Sequence, residues 1–134
     1  LKKGSQKVRV VDTNVILRYL LRDVEELYAK AEKIITETMN GKTMIFIPQS
    51  VIAEVVFVLQ KVYKVPRDEI ASVLEFFIQL RNCKIQDGEI IKRAISIYKE
   101  TNLSFVDALL CAFKAEKGYS LETFDEALLK KCKH

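Results

Sequence analysis

Four carboxylates, Asp12, Glu54, Asp107 and Asp125, stand where side chains of this type could do joint chemistry. Asp12 ends an apolar run in Val-Val-Asp-Thr-Asn. Asp107 lies three residues after Ser104, at the start of a predicted helix, and Asp125 follows Thr123 just past a short predicted strand. Glu54 lies one turn into the helix after the second predicted strand. Several acids on one rim suit Mg2+ or Mn2+, hard cations that take oxygen ligands and complete their shells with water. Such ions activate water, neutralise a phosphodiester and stabilise a leaving oxygen.

Each acid also has a plainer use. Asp12 suits the cap of the helix that follows it. Ser104 and Asp107 fit a capping box, as do Thr123 and Glu126, with Asp125 favouring the helix dipole. Glu54 is different, because every other residue from Val51 to Leu59 is apolar. A helix apolar all round is usually buried, so Glu54 is expected to be buried or at the lip of a cleft. A buried carboxylate needs a cation, a donor or a proton. Ser50 and Val58, one turn to either side, supply no cation.

Other chemistries find few residues. The sole histidine is His134, whose terminal position argues against a catalytic role and against Ser-His-Asp or Cys-His arrangements. The three cysteines, Cys83, Cys111 and Cys132, are odd in number and widely spaced, which argues against a disulfide framework and a zinc site. Cys111 reads as a small core residue, and a reducing cytoplasm fits this cysteine usage.

The elements that must position the acids follow from periodicity. Val8 to Val11 and Met44 to Ile47 read as buried strands or apolar runs of strand length, and Cys83 to Ile85 and Tyr119 to Leu121 as shorter strands. Helical spacing predicts helices over Thr13 to Leu21, Glu26 to Met39, Ser50 to Tyr63, Arg67 to Leu80, Gly88 to Thr101 and Ser104 to Glu116. A last helix begins near Asp125. Asn40-Gly41 is a stop signal, as are Pro48 and Val65-Pro66. Strands alternating with helices imply an α/β fold with a parallel sheet covered on both faces. Sites in such sheets lie at the carboxyl ends of the strands, where these acids fall.

A chain of 134 residues, 49% hydrophobic and 30% charged, suits one globular domain over residues 8–134. Leu1 to Lys7 read as an N-terminal extension or an expression remnant, basic and without the apolar core of a secretory signal. No apolar run approaches the ~20 residues of a membrane-spanning helix. The net charge of +4 points weakly to a polyanionic partner. Arg18, Arg22, Lys61, Lys64, Lys130, Lys131 and Lys133 could follow phosphates, although solvated helix faces account for most of them.

At its four acids the sequence resembles the PIN-domain ribonucleases, particularly the VapC-like toxins of prokaryotic toxin–antitoxin pairs. The likeness runs over nearly the whole chain: Asp12-Thr13-Asn14, Glu54, Asp107-Ala108 and Thr123-Phe124-Asp125, in that order. It implies a three-layer α/β/α sandwich with a short, mainly parallel sheet. It further implies four acids around one or two Mg2+ or Mn2+ ions and cleavage of RNA by a metal-activated water. Asn14 and Thr123 would be polar supports for the carboxylates. The resemblance also implies an antitoxin partner that fills the acidic pocket, and a homodimer. For the dimer, Phe57, Tyr63, Phe76 and Phe77 form an apolar surface that one small domain is not expected to bury entirely. The pattern departs at Leu128, where an aromatic is common, a change expected to affect packing only.

Two other readings compete. One is a non-catalytic binding module on the same fold. The other is a haloacid-dehalogenase-like phosphatase, which would have a second Asp where this chain has Asn14.

Overall fold

The computed structural model describes residues 7–132. Of the extension expected over Leu1 to Lys7, Leu1 to Gln6 lie outside the described residues, as do Lys133 and His134, whereas Lys7 already belongs to a strand. By its internal contacts the chain divides into two compact units. The first runs through Val55 and takes in Phe76–Gln86; the second holds Val56–Glu75 and everything from Asp87 onward.

The first unit is built on a parallel sheet of β1 (Lys7–Val10), β2 (Thr43–Ile47) and β3 (Cys83–Ile85), in the order β1-β2-β3. The register pairs Val10 with Phe46 and Ile47 with Ile85. In β2, Thr43, Ile45 and Ile47 are buried while Met44 and Phe46 are only partly so, the two-residue period of a pleated strand. The crossover from β1 to β2 is α1 (Thr13–Leu21) followed by α2 (Glu25–Met39). Ile16 and Leu17 of α1 are buried, as are Ala31, Ile35 and Thr38 of α2, which recur at helical spacing along one face. Gly41, just past α2, takes φ +80, a left-handed conformation that costs glycine nothing and lets the chain turn sharply into β2. Asn82 donates from Nδ2 to the Thr38 carbonyl at 3.0 Å, tying the entry of β3 to the end of α2.

The second unit centres on α5 (Gly88–Glu100) packed against α6 (Phe105–Lys117). Ile90, Ile91, Ala94, Ile95, Ile97 and Tyr98 of α5 are buried, as are Phe105, Ala108, Leu109, Cys111 and Ala112 of α6. Arg67 locks the turn between these helices. Its guanidinium donates to the Tyr98 and Leu103 carbonyls at 2.8 and 2.6 Å and lies 3.7 Å from the centroid of the Tyr98 ring. The short α7 (Glu126–Lys131) closes the described chain. Two further helices, α3 (Gln49–Lys61) and α4 (Arg67–Gln79), pass from one unit to the other.

The α/β class with a parallel sheet agrees with the sequence reading, and so do the helices, within a residue or two at their ends. Four expectations are corrected. Residues Tyr119 to Leu121 belong to no strand; a three-residue signal has no force without a ladder partner. The strand β1 is not a buried one, since Val8 and Val10 are 55% and 70% exposed. Among the described residues β1 pairs only with β2, and an apolar run cannot tell an edge strand from a central one. Phe77 is only 1% exposed and packs edge-on against Tyr19 and Phe76, so it is core and not part of an apolar surface. Phe57, Tyr63 and Phe76 are exposed.

The fourth correction concerns the cysteines. Cys111 of α6 and Cys132, which caps α7, form a disulfide with their Cα atoms 5.0 Å apart. Both are buried, and Cys83 is the free cysteine. Spacing along the chain set this pairing aside because it says nothing of spatial approach, whereas the tertiary packing brings the two Cα atoms within disulfide range.

Candidate functional site

The backbone amide of Val11 donates to the Phe46 carbonyl at 3.2 Å, extending the ladder to the residue before Asp12. Asp12 therefore leaves the sheet at the carboxyl end of β1, with φ −100 and ψ 178, and α1 starts at the next residue. Its Oδ1 accepts the Val15 amide at 3.1 Å, so Asp12 caps α1 as its residue type predicts. The side chain is exposed, and a carboxylate has lone pairs enough to cap a helix and bind a cation together.

Glu54 belongs to the part of α3 that lies in the same unit. It is exposed, so of the two settings expected for it, buried or at the lip of a cleft, the buried one is ruled out. The apolar residues around it divide between the faces: Ile52, Val55, Val56 and Leu59 are buried while Phe57 is open. Composition alone could not reveal that division. What holds Glu54 is a hydroxyl: Thr13 Oγ1 donates to Glu54 Oε1 at 2.6 Å across 41 residues of sequence. The bond joins the start of α1, next to Asp12, to the acid on α3. Thr13 had no assigned role in the sequence reading, and its place beside Asp12 was the only signal.

Asp12 and Asn14 also border a groove of about 660 Å³ between α1 and α2, floored by Val15, Leu27, Ala31 and Ile34. Arg18 lies along this groove, and its guanidinium Nη1 donates to both oxygens of Asp23 at 2.9 and 2.8 Å. Arg22 pairs with Glu25 at 2.9 Å. Both arginines named as phosphate contacts thus have acidic partners within the unit.

Asp107 and Asp125 belong to the second unit. Ser104 caps α6, its Oγ accepting the Asp107 amide at 3.1 Å, and the Asp107 side chain is half-buried in the first turn. Asp125 caps α7 through Oδ1, which accepts the Leu128 amide at 3.0 Å. Thr123 Oγ1 accepts the Asp125 amide at 3.0 Å, so Thr123 supports Asp125 through its backbone. Leu128 is buried, which fits the packing role expected of it.

Among the described residues, no three or more His, Cys, Asp or Glu side chains are grouped so as to hold a metal ion. The donor chemistry of the first unit nevertheless fits Mg2+ or Mn2+: Asp12 and Glu54 are exposed oxygen donors tied together through Thr13. Sites for these ions are often completed by one or two carboxylates, water and substrate phosphate.

The family profile of the PIN domain matches residues 9–133, and the chain belongs to this family. The chain is also similar to a VapC ribonuclease of Aquifex aeolicus (strain VF5), with 29% identity over 110 residues, 82% of this chain and 80% of that protein. No solved structure matches the chain significantly. None of the described helices is long and apolar enough to cross a membrane.

Proposed function

We propose that the chain is a metal-dependent endoribonuclease, with residues 8–134 acting as one nuclease domain and as the toxin of a toxin–antitoxin pair. The observation that carries this reading is the Thr13–Glu54 hydrogen bond, which draws the acid of α3 to the loop that presents Asp12. Family membership and the likeness to a VapC ribonuclease support RNA as the substrate. In this reading Asp12, Glu54, Asp107 and Asp125 are the metal ligands, and Asn14 and Thr123 are their polar supports. Mg2+ or Mn2+, when bound, supplies an activated water and neutralises charge on the scissile phosphodiester. Asp12 and Asp125 each keep one oxygen on a helix amide, which fixes the carboxylate before any cation arrives.

The reading carries a protein partner, an antitoxin that fills the acidic pocket. It also carries a homodimer using the exposed Phe57, Tyr63 and Phe76.

The test is RNA cleavage in Mg2+ or Mn2+. Asp12→Asn keeps the shape of the side chain and its ability to cap, but is a neutral and poorer ligand. It is expected to cut at least about 100-fold more slowly, in line with the loss of a charged group at a metal-assisted centre. EDTA is expected to silence the wild type. Cleavage by Asp12→Asn at the wild-type rate would remove Asp12 from the site. A wild type that binds RNA without cutting it in either metal would point to the non-catalytic module instead.

A further inference from the structure

We infer that Thr13 is the positioning residue for Glu54, holding its carboxylate in place to receive the divalent cation. The inference rests on the metal-dependent reading above and adds to it a residue outside the set of four acids and their two supports.

Thr13 is the first residue of α1, a position where a hydroxyl commonly turns back to serve its own helix. Here Asp12 already caps α1, through Oδ1 on the Val15 amide at 3.1 Å. The Thr13 proton goes instead to Glu54 Oε1 at 2.6 Å, a charge-assisted bond to another element. A β-branched side chain is restricted at χ1, so the backbone of α1 leaves the Thr13 hydroxyl only a few placements, one of which meets Glu54. Glu54 has a long side chain and is exposed, and without an anchor it would sample many rotamers. One hydroxyl therefore couples two things a cation site needs: a fixed carboxylate on α3 and a fixed distance to the loop that carries Asp12. The bond uses Oε1, so the lone pairs of Oε2 are available as a cation donor. Groups of this kind act on affinity through the ligand they hold, and their loss commonly costs 10–100-fold in metal binding.

The pair Thr13→Val and Thr13→Ser separates the hydroxyl from the rest of the side chain. Valine keeps the shape and removes the donor; serine keeps the donor and loses a methyl group. Thermal melts are recorded in EDTA and along a Mn2+ titration for both variants, the wild type and Asp12→Asn. The expected result is a Mn2+ midpoint raised about 10-fold or more in Thr13→Val and within about 3-fold of wild type in Thr13→Ser. Melting temperatures in EDTA should stay within a few degrees of one another.

A wild-type shift with Mn2+ that Thr13→Val reproduces at the same midpoint would overturn the inference and leave the metal reading intact. Equal losses in Thr13→Ser and Thr13→Val would overturn it too, by assigning the effect to packing. If the wild type shows no Mn2+ shift at all, the metal reading and the inference fall together.

Discussion

Breaking the disulfide between Cys111 and Cys132 should lower the melting temperature by about 10 °C. The cross-link joins residues 21 apart, and the chain-entropy relation for a loop of that length gives a stabilisation of about 3 kcal/mol. Unfolding a chain of this length has an entropy near 0.3 kcal/mol/K, from about 2.1 cal/mol/K per residue, and the ratio is the expected shift. The bond also fastens the end of α7, a helix of six residues with Leu128 as its buried side chain, onto α6. Helices that short are marginal without tertiary support, so α7 is expected to loosen first. The assay has two parts. Alkylation in guanidinium without reductant should label one thiol, Cys83, out of three cysteines, and three after reduction. Scanning calorimetry of the oxidised and reduced proteins then gives the shift. Because both cysteines are buried, reduction should be slow in the native protein and fast in mild denaturant. Three thiols labelled without reductant would refute the cross-link. Equal melting temperatures, with reduction verified by mass, would refute the reasoning about its contribution.

Arg67→Met keeps an apolar stem but leaves the carbonyls of Tyr98 and Leu103 without their donor, and should cost about 2–3 kcal/mol in urea unfolding. An unchanged unfolding midpoint would show that these carbonyls find other donors. Burial pushes the Cys83 thiol up to about 12. The unfolded chain therefore loses this proton first, and the contribution of Cys83 to stability, complete below pH ~8.5, is lost as pH rises from there towards 12. Comparing the pH dependence of unfolding between pH 8 and 10.5 with that of Cys83→Ala isolates the effect, and identical slopes would dismiss it. The homodimer proposed through Phe57, Tyr63 and Phe76 should appear in light scattering at tens of micromolar. Phe57→Glu, at a site 60% exposed, should shift it towards monomer without unfolding the chain. A wild-type monomer at that concentration would count against the dimer.

What the sequence determined by itself was local. Apolar periods of two and 3.6, broken by Gly41, Pro48 and Pro66, mark the helices and the three parallel strands, together with a fourth strand at Tyr119 to Leu121 that does not form. Residue type at the junctions marks Asp12 and Ser104 as caps, because a short polar side chain meets its own helix amides whatever else the fold does, while α7 is capped by Asp125 and not by Thr123 of the expected capping box. Tertiary structure decided what depends on distant neighbours. It exposed Glu54 and Val10 and buried Phe77, since burial depends on what covers a face and not on the residues along it. Packing joined Cys111 to Cys132, a pairing invisible in their separation along the chain. It also gave Glu54 the hydroxyl of Thr13, a partner 41 residues away whose residue type suggested only a helix start.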